Sequence, residues 1–442
     1  MDPASFTALT LGLLLALVVV GVPIMVSLGL ACLTGLFILT GSMKIALSLV
    51  SATAFEALRD YVFAVIPLFV LMGELMARSG CARDLYTLMD RAFRRLPGHL
   101  AVATVAGNAI FAAVVGVSVA SAAAFSRIAY PQMVSRGYDK QVALGCVAGS
   151  ASLGMLIPPS VLMIVWGVLT ELSIGKLFLA GFIPGLLAAV LFALYVIQLA
   201  VRHPERFGAG GTNAPSASDA TITGLTRDEW IGGIGTSIVV LLALGGIWFG
   251  FFTPTEAAGV GALLALVLAF LKGLTLREFR EVVLSSARIA APILTLLIFA
   301  QMYSRMLAMG GVAGQVQQVM TALGLPAWGV LALMIVIWLV LGCFIDSVSI
   351  ILLTVPIFAP IATQLGIHPI AFAIIGILVI EAGFVTPPFG LIVFTVKSSV
   401  PDPDVTLGQI FKGSTAYWVI LVILAWFIYF VPKTATFLPS LM

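Results

Sequence analysis

The chain has 442 residues, 61% of them hydrophobic and only 9% charged, with a mean hydropathy of +1.17. A soluble domain carries roughly 25% charged residues, so this composition cannot cover a water-facing surface, and the length allows on the order of ten to a dozen bilayer crossings at about 20 residues each. The net charge of +3 is too slight to indicate nucleic acid, and continuous apolar runs interrupted by Gly and Pro exclude the alternating strands of an outer-membrane barrel.

In chain order, the first apolar run, 4–20, follows Asp2 with no basic region and no small-residue cleavage pattern, so it predicts a retained helix. Segments 24–40 and 62–78 are further crossings. The amphipathic stretches 44–60 and 83–96, the second carrying Arg83, Arg91, Arg94 and Arg95, belong along the membrane interface. Segment 99–131 would be about 50 Å as a straight helix, too long for one span. Its Gly116-Val117-Ser118 centre predicts a re-entrant helical hairpin. Segment 140–172 is also too long and carries Pro158 and Pro159, which predicts one crossing made of two half-helices. After segment 177–200 comes a polar stretch from Arg202 to Glu229, rich in Gly, Ser, Asn, Pro and Thr, which reads as a linker. The four cysteines are scattered through apolar runs and behave as small hydrophobes rather than as a disulfide or metal framework.

The second half repeats the first. GMLIPP from Gly154 to Pro159 matches GFVTPP from Gly383 to Pro388 at an offset of 229, and the same offset pairs Ser118 with Ser347, Pro131 with Pro360 and Gly137 with Gly366. The predicted fold is therefore an all-α polytopic membrane protein of two repeats, 1–200 and 230–442, joined by a linker over 201–229. Each repeat has five crossings, one re-entrant hairpin and one Pro-broken helix. Five is odd, so the second repeat is inverted relative to the first. Sixteen of the 22 basic residues fall on the linker side of this topology and five on the other. That bias makes the linker cytoplasmic and puts both termini outside.

Inverted repeats with broken helices are the architecture of secondary transporters. Pro158 has no N–H to give the carbonyl of Gly154, and Pro387 none for that of Gly383. Freed carbonyls at membrane depth need a partner, and with a hydroxyl from Ser160 or Thr386 they suit a hard monovalent cation; a kinked helix patched by its neighbours is the structural alternative. The hairpin tips, Gly116, Val117, Ser118 and Ser121 in the first half and Gly342, Asp346, Ser347 and Ser349 in the second, supply the other side of each site. The helix N-termini that follow them favour an anion. Asp346 is either a ligand or the cap of the next helix, and Glu381 is either its buried partner or a bundle residue. No phosphate-binding loop, zinc-protease pair or nucleophile elbow is present, so the sequence carries no ATP-hydrolysing machinery. An intramembrane enzyme using Asp346 is the alternative function, but it lacks a second aspartate in a G-x-G-D setting.

The string SLGMLIPPSVLMIVWGVLTELSIGKLFLAGFIPG from Ser152 to Gly185, with FTPTEAAGVGAL from Phe252, DSVSIILLTVPIFAPI from Asp346 and EAGFVTPPFGLIVFTVKS from Glu381, resembles the large, DctM-like membrane subunit of tripartite ATP-independent periplasmic (TRAP) transporters. The resemblance covers nearly the whole chain. It implies an elevator-type, sodium-driven transporter of the bacterial inner membrane, in which a block of hairpins and broken helices slides against a scaffold within the lipid bilayer. It also implies a soluble periplasmic binding protein that captures an organic acid, and a small four-helix membrane subunit on a separate polypeptide. The implied sodium ligands are Gly342, Gly383, Thr386 and Phe389, with Ser118, Gly154, Ile157 and Ser160 as repeat-related counterparts. The implied substrate lining is Gly116, Val117, Ser121, Pro158, Pro159, Asp346, Ser347, Pro387 and Pro388. One departure is the first tip: VGVSVASAAA from Val115 to Ala124 has no acidic residue where many family members resemble SGSxxADA.

Overall fold

The computed structural model describes residues 3–210, 226–312, 314–316, 318 and 324–442; the expected linker lies largely, at 211–225, outside the described residues. Among the described residues every regular element is helical. Eight of the helices among the described residues are long and apolar enough, by length and composition, to cross a bilayer, with shorter apolar helices beside them. Leu241, Leu263, Val340 and Ile423 are exposed, which suits a chain whose outer surface meets lipid rather than water.

The first half begins with α1 (Pro3–Val19), α2 (Ile24–Thr40), α3 (Met43–Arg59), α4 (Val65–Arg78) and α5 (Cys81–Phe93). Asp60 separates α3 from α4: its carboxylate accepts the N–H of Val62 at 3.0 Å and caps a short 3-10 turn over Tyr61–Ala64. Next come α6 (His99–Val115) and α7 (Ser118–Ser135), then α8 (Lys140–Ala151), α9 (Val161–Thr170) and α10 (Ile174–Arg202).

The second half has α11 (Arg227–Trp248), α12 (Pro254–Leu271) and α13 (Leu276–Met309), then α14 (Ala327–Phe344), α15 (Ser347–Gln364), α16 (Pro369–Gly383), α17 (Leu391–Ser399), α18 (Leu407–Phe430) and a short α19 (Lys433–Thr436). Four of these starts are written in the sequence as Thr followed three residues later by Glu or Gln. Thr226/Glu229, Thr253/Glu256, Thr275/Glu278 and Thr406/Gln409 all form reciprocal capping boxes. The halves are not identical. Where the first has α3, a break and α4, the second has the single 34-residue α13, because Arg288-Ile289-Ala290 continues a helix that Asp60 interrupts.

Two tight turns make the predicted hairpins. α6 and α7 meet at Gly116, whose φ of +64° is the left-handed conformation glycine supplies; α14 and α15 meet at Ile345 and Asp346. α6 and α14 have 17 and 18 residues, about 26 Å each. Both long helices predicted to break do so. α8 runs through a 3-10 turn at Ser152–Met155 before α9, and α16 ends at Gly383 before α17. Both the Pro158-Pro159 and Pro387-Pro388 bonds are cis.

Packing gathers the helices around two centres that α5 and α6 join, since α5 lies on both α11 and α6, and α6 lies on α4. α4 lies against α12 and α13, and α13 against α2 and α3. In the other group α8 and α16 both pack on α18, each hairpin packs on its own broken helix, α7 reaches α17 and α15 reaches α9. The centre of this second group is aromatic: Trp166, Trp338 and Phe372 have ring centroids 5.3 to 6.1 Å apart. Trp338 is fully buried and spends its indole N–H on Thr354 Oγ1 at 2.8 Å, as a buried Trp must.

Candidate functional site

The two glycine-containing tips sit directly on the two broken helices. A Cβ added to Gly154 would lie 2.6 Å from the Ser118 Cα and 2.8 Å from its backbone nitrogen, and one on Gly116 would lie 2.7 Å from the Pro159 carbonyl oxygen. The Val161 N–H also donates to the Gly116 carbonyl at 3.4 Å. The second half repeats the arrangement: a Cβ on Gly342 would lie 2.8 Å from the Gly383 Cα, and one on Gly383 equally close to the Gly342 Cα. Glycine is needed at these four positions because backbone meets backbone.

The two halves are also bonded to each other. Ser118 at the first tip donates to Glu381 Oε2, on the last turn of α16, at 2.5 Å, and both residues are fully buried. Ser347, which follows the second tip, directs its hydroxyl to the Met155 sulfur at 3.4 Å. The tip of each hairpin therefore touches the broken helix of the other half as well as its own. Below the first tip runs a buried polar chain: Ser121 donates to Asn108 Oδ1 at 2.8 Å, Asn108 Nδ2 to Ser150 at 2.6 Å, and Ser150 to the Cys146 carbonyl at 2.6 Å.

The breaks satisfy part of their own backbone. Ser160 caps α9, accepting the Met163 N–H at 3.4 Å, and donates to the Met155 carbonyl at 2.5 Å. Thr386 donates its hydroxyl to the Ala382 carbonyl at 2.7 Å. The Gly383 carbonyl is not bare, because the Thr386 N–H reaches it at 3.1 Å. The Pro387 carbonyl accepts from the Cys343 thiol at 3.2 Å. Asp346 caps α15, taking the Ser349 N–H at 3.0 Å and its hydroxyl at 2.5 Å, and lies exposed.

The two sites differ in access. Gly116, Ser118, Ser121, Gly154, Ile157, Pro158, Pro159 and Ser160 are all buried, with Val117 at the margin. In the second half Gly342, Gly383 and Ser347 are buried, Thr386 is half-buried, and Asp346, Pro387, Pro388 and Phe389 are exposed. Phe389 packs its ring 5.4 Å from that of Phe344, which is exposed too.

The donors suit a small hard cation: hydroxyl, carbonyl and carboxylate oxygens gather at the tips. Glu381 Oε1 is buried with no hydrogen-bond partner, an orphaned carboxyl oxygen that a cation or a proton would satisfy. Among the described residues no group of three His, Cys, Asp or Glu could hold a transition metal. Sequence reasoning identified the tips and breaks but missed Asn108 and Ser150; a lone Asn among the alanines and valines of α6 was the available signal.

The family model for the DctM component of tripartite ATP-independent periplasmic transporters matches residues 11–434. The C4-dicarboxylate TRAP transporter large permease protein DctM of Rhodobacter capsulatus is 32% identical over 450 residues, covering 98% of each chain. The protein of the same name from Pseudomonas aeruginosa is 33% identical over 390 residues, covering 87% of this chain and 88% of its own. Among solved structures, the YdaH transporter of Alcanivorax borkumensis aligns with a TM-score of 0.63 at 14% identity, over 91% of this chain and 88% of that one. That is a likeness of fold alone. The polytopic helical fold, the paired tips and breaks, and a family match spanning nearly the whole sequence agree: the chain belongs to the DctM family of TRAP transporter large permeases, a family of transporters and not of enzymes.

Proposed function

We propose that this permease is the transporting subunit of a sodium-coupled importer of an organic acid. The observation that carries the reading is the doubled geometry of a glycine tip seated on a Pro-Pro break, with the first pair bonded to a buried carboxylate that keeps one oxygen unpartnered. The halves 1–200 and 230–442 are inverted repeats, joined by a cytoplasmic linker over 201–229, with both termini periplasmic in a bacterial inner membrane. The hairpins, broken helices, α10 and α18 slide as an elevator past α1–α4 and α11–α13.

Bound sodium supplies positive charge beside an acidic substrate. Ser118, Gly154, Ile157 and Ser160 hold one ion, and Gly342, Gly383, Thr386 and Phe389 hold the other. Gly116, Val117, Ser121, Pro158 and Pro159, with Asp346, Ser347, Pro387 and Pro388, line the substrate. The α7 N-terminus has no side-chain cap, so its backbone N–H groups are free for a carboxylate. Both relatives are named for C4-dicarboxylates, so a small dicarboxylate is the first substrate class to try. A periplasmic binding protein delivers the acid, and a small four-helix membrane subunit completes the complex.

The test is reconstitution of both membrane subunits in proteoliposomes, with the binding protein outside. Uptake should rise with an inward sodium gradient and need no ATP. Equal uptake with choline or potassium replacing sodium on both sides would sink the coupling. Saturable uptake without the binding protein would contradict its role.

A further inference from the structure

We infer that Glu381, contributed by the second half of the chain, is the charged ligand of the first cation site, at the tip of the first hairpin. The inference rests on the sodium reading above and adds a ligand from across the half boundary.

Four observations converge on this residue. Glu381 is fully buried, yet of its two carboxylate oxygens only Oε2 has a partner, the Ser118 hydroxyl at 2.5 Å. It lies two residues before the end of α16, where the negative pole of the helix disfavours a second negative charge. The 3-10 turn that ends α8 packs against α16, bringing a second carbonyl-bearing helix end to the same place. Among the described residues no Lys, Arg or His pairs with Glu381. The lysines and arginines of the elements packed on α16, Lys176, Arg202, Lys412 and Lys433, all sit in the first or last two turns of their helices. A carboxyl so placed cannot stay charged cheaply in a low-dielectric setting: it either holds a proton or is joined by a cation.

The tip itself supplies no such charge. From Gly116 to Ala124 it offers only Ser118 and Ser121 as polar side chains, and Ser121 is already spent on Asn108. Asp346, the acidic residue of the other tip, uses both oxygens on Ser349. That leaves Glu381 Oε1 as the unpartnered carboxyl oxygen between the tips. Ser118 touches Glu381 on one side and the Gly154 backbone on the other, so an ion held by Ser118 lies within reach of the orphaned oxygen. Because the hairpin comes from one half and the carboxylate from the other, ion binding here also ties the two halves together.

The experiment is equilibrium binding of radioactive sodium to the purified full chain in detergent, with choline chloride as the balancing salt, so that no transport is needed. Glu381→Gln keeps an oxygen that accepts the Ser118 hydroxyl but removes the charge. It should raise the sodium concentration needed to fill the first site by about 10- to 100-fold, the usual cost of losing a strong metal-orienting group. Ser118→Ala, which keeps the carboxylate, should weaken the same site less and serves if the Gln variant does not fold. Binding curves for both variants that overlay the wild type would overturn the inference while leaving the sodium reading intact. A wild-type chain that binds no sodium would remove both.

Discussion

Gly154 shows how a single missing side chain sets the site. A methyl there would press on the Ser118 backbone at 2.6 to 2.8 Å, and main chain in a hairpin tip cannot rotate aside as a flexible side chain can. Gly154→Ala should therefore lift the tip from the break, cost about 1–3 kcal/mol of stability as other overpacked sites do, and abolish uptake. Thermal unfolding in detergent and transport by the same preparation check this; unchanged melting and uptake would mean that the tip does not seat on the break. Gly154 and Gly383 were legible because the two strings align at one offset. The bond between Ser118 and Glu381 was not, since partners 263 residues apart meet only after both hairpins have packed. Asp346 caps α15 through Ser349, one of the two roles its sequence position offered.

Helix ends carry the next level of organisation. Lys140, at the start of α8, donates to Asp402 at 2.7 Å, and the Tyr130 hydroxyl of α7 donates to the same oxygen at 2.8 Å. Asp402 lies just beyond α17, so this cluster fastens the first hairpin and first broken helix to the second. The Lys140 ammonium, and after it the Tyr130 hydroxyl, hold the Asp402 carboxyl below its ordinary value. A carboxyl lowered in the folded state adds stability above its unfolded pKa of about 3.9, and that stability is lost as pH falls through the lower folded value. Asp402→Asn should thus lower the melting temperature at neutral pH and leave little difference from wild type in strong acid; a gap that stays constant across pH would show that the carboxylate charge is irrelevant. Elsewhere small residues decide the fit. Gly145 of α8 faces Gly413 of α18 so closely that a Cβ would lie 2.3 Å from the Gly413 carbonyl, the close crossing that paired small residues permit between membrane helices. The G-x-x-x-G spacing of Gly145 and Gly149 is visible in the sequence, but its partner helix is not. The continuous α13 is a similar case: the offset relates it to α3 and α4, while one residue, Asp60, decides whether the helix breaks.

At the scale of the whole molecule the two helix groups touch closely where Gly73 of α4 meets the Val115 backbone of α6, and they leave a cavity of about 340 Å³ between α13, α9 and α15. One wall is Ser304 of α13; the other is built from α15, including Ala359 and Thr363, and from the end of α9 near Glu171. The cavity lies at the ends of α9 and α15 remote from the tips, so it is separate from the oxygens gathered there. A rigid contact between the groups would close this junction with interdigitated side chains, as the interior of each group is closed. The displacement proposed above would carry one group past the other at this gap. If the group slides as proposed, cysteines placed at Ser304 and Thr363 and joined by a short bifunctional maleimide should hold it in one position and stop uptake, with sodium binding to the purified chain unaffected. The native cysteines are all buried, so labelling should be confined to the introduced pair. Each single-cysteine variant treated with the same reagent provides the control for simple blockage of the cavity. If the bridged protein transports as fast as the unbridged one, the hairpins and broken helices do not move relative to α13, and transport must proceed by local opening at the tips instead of by displacement of the whole group.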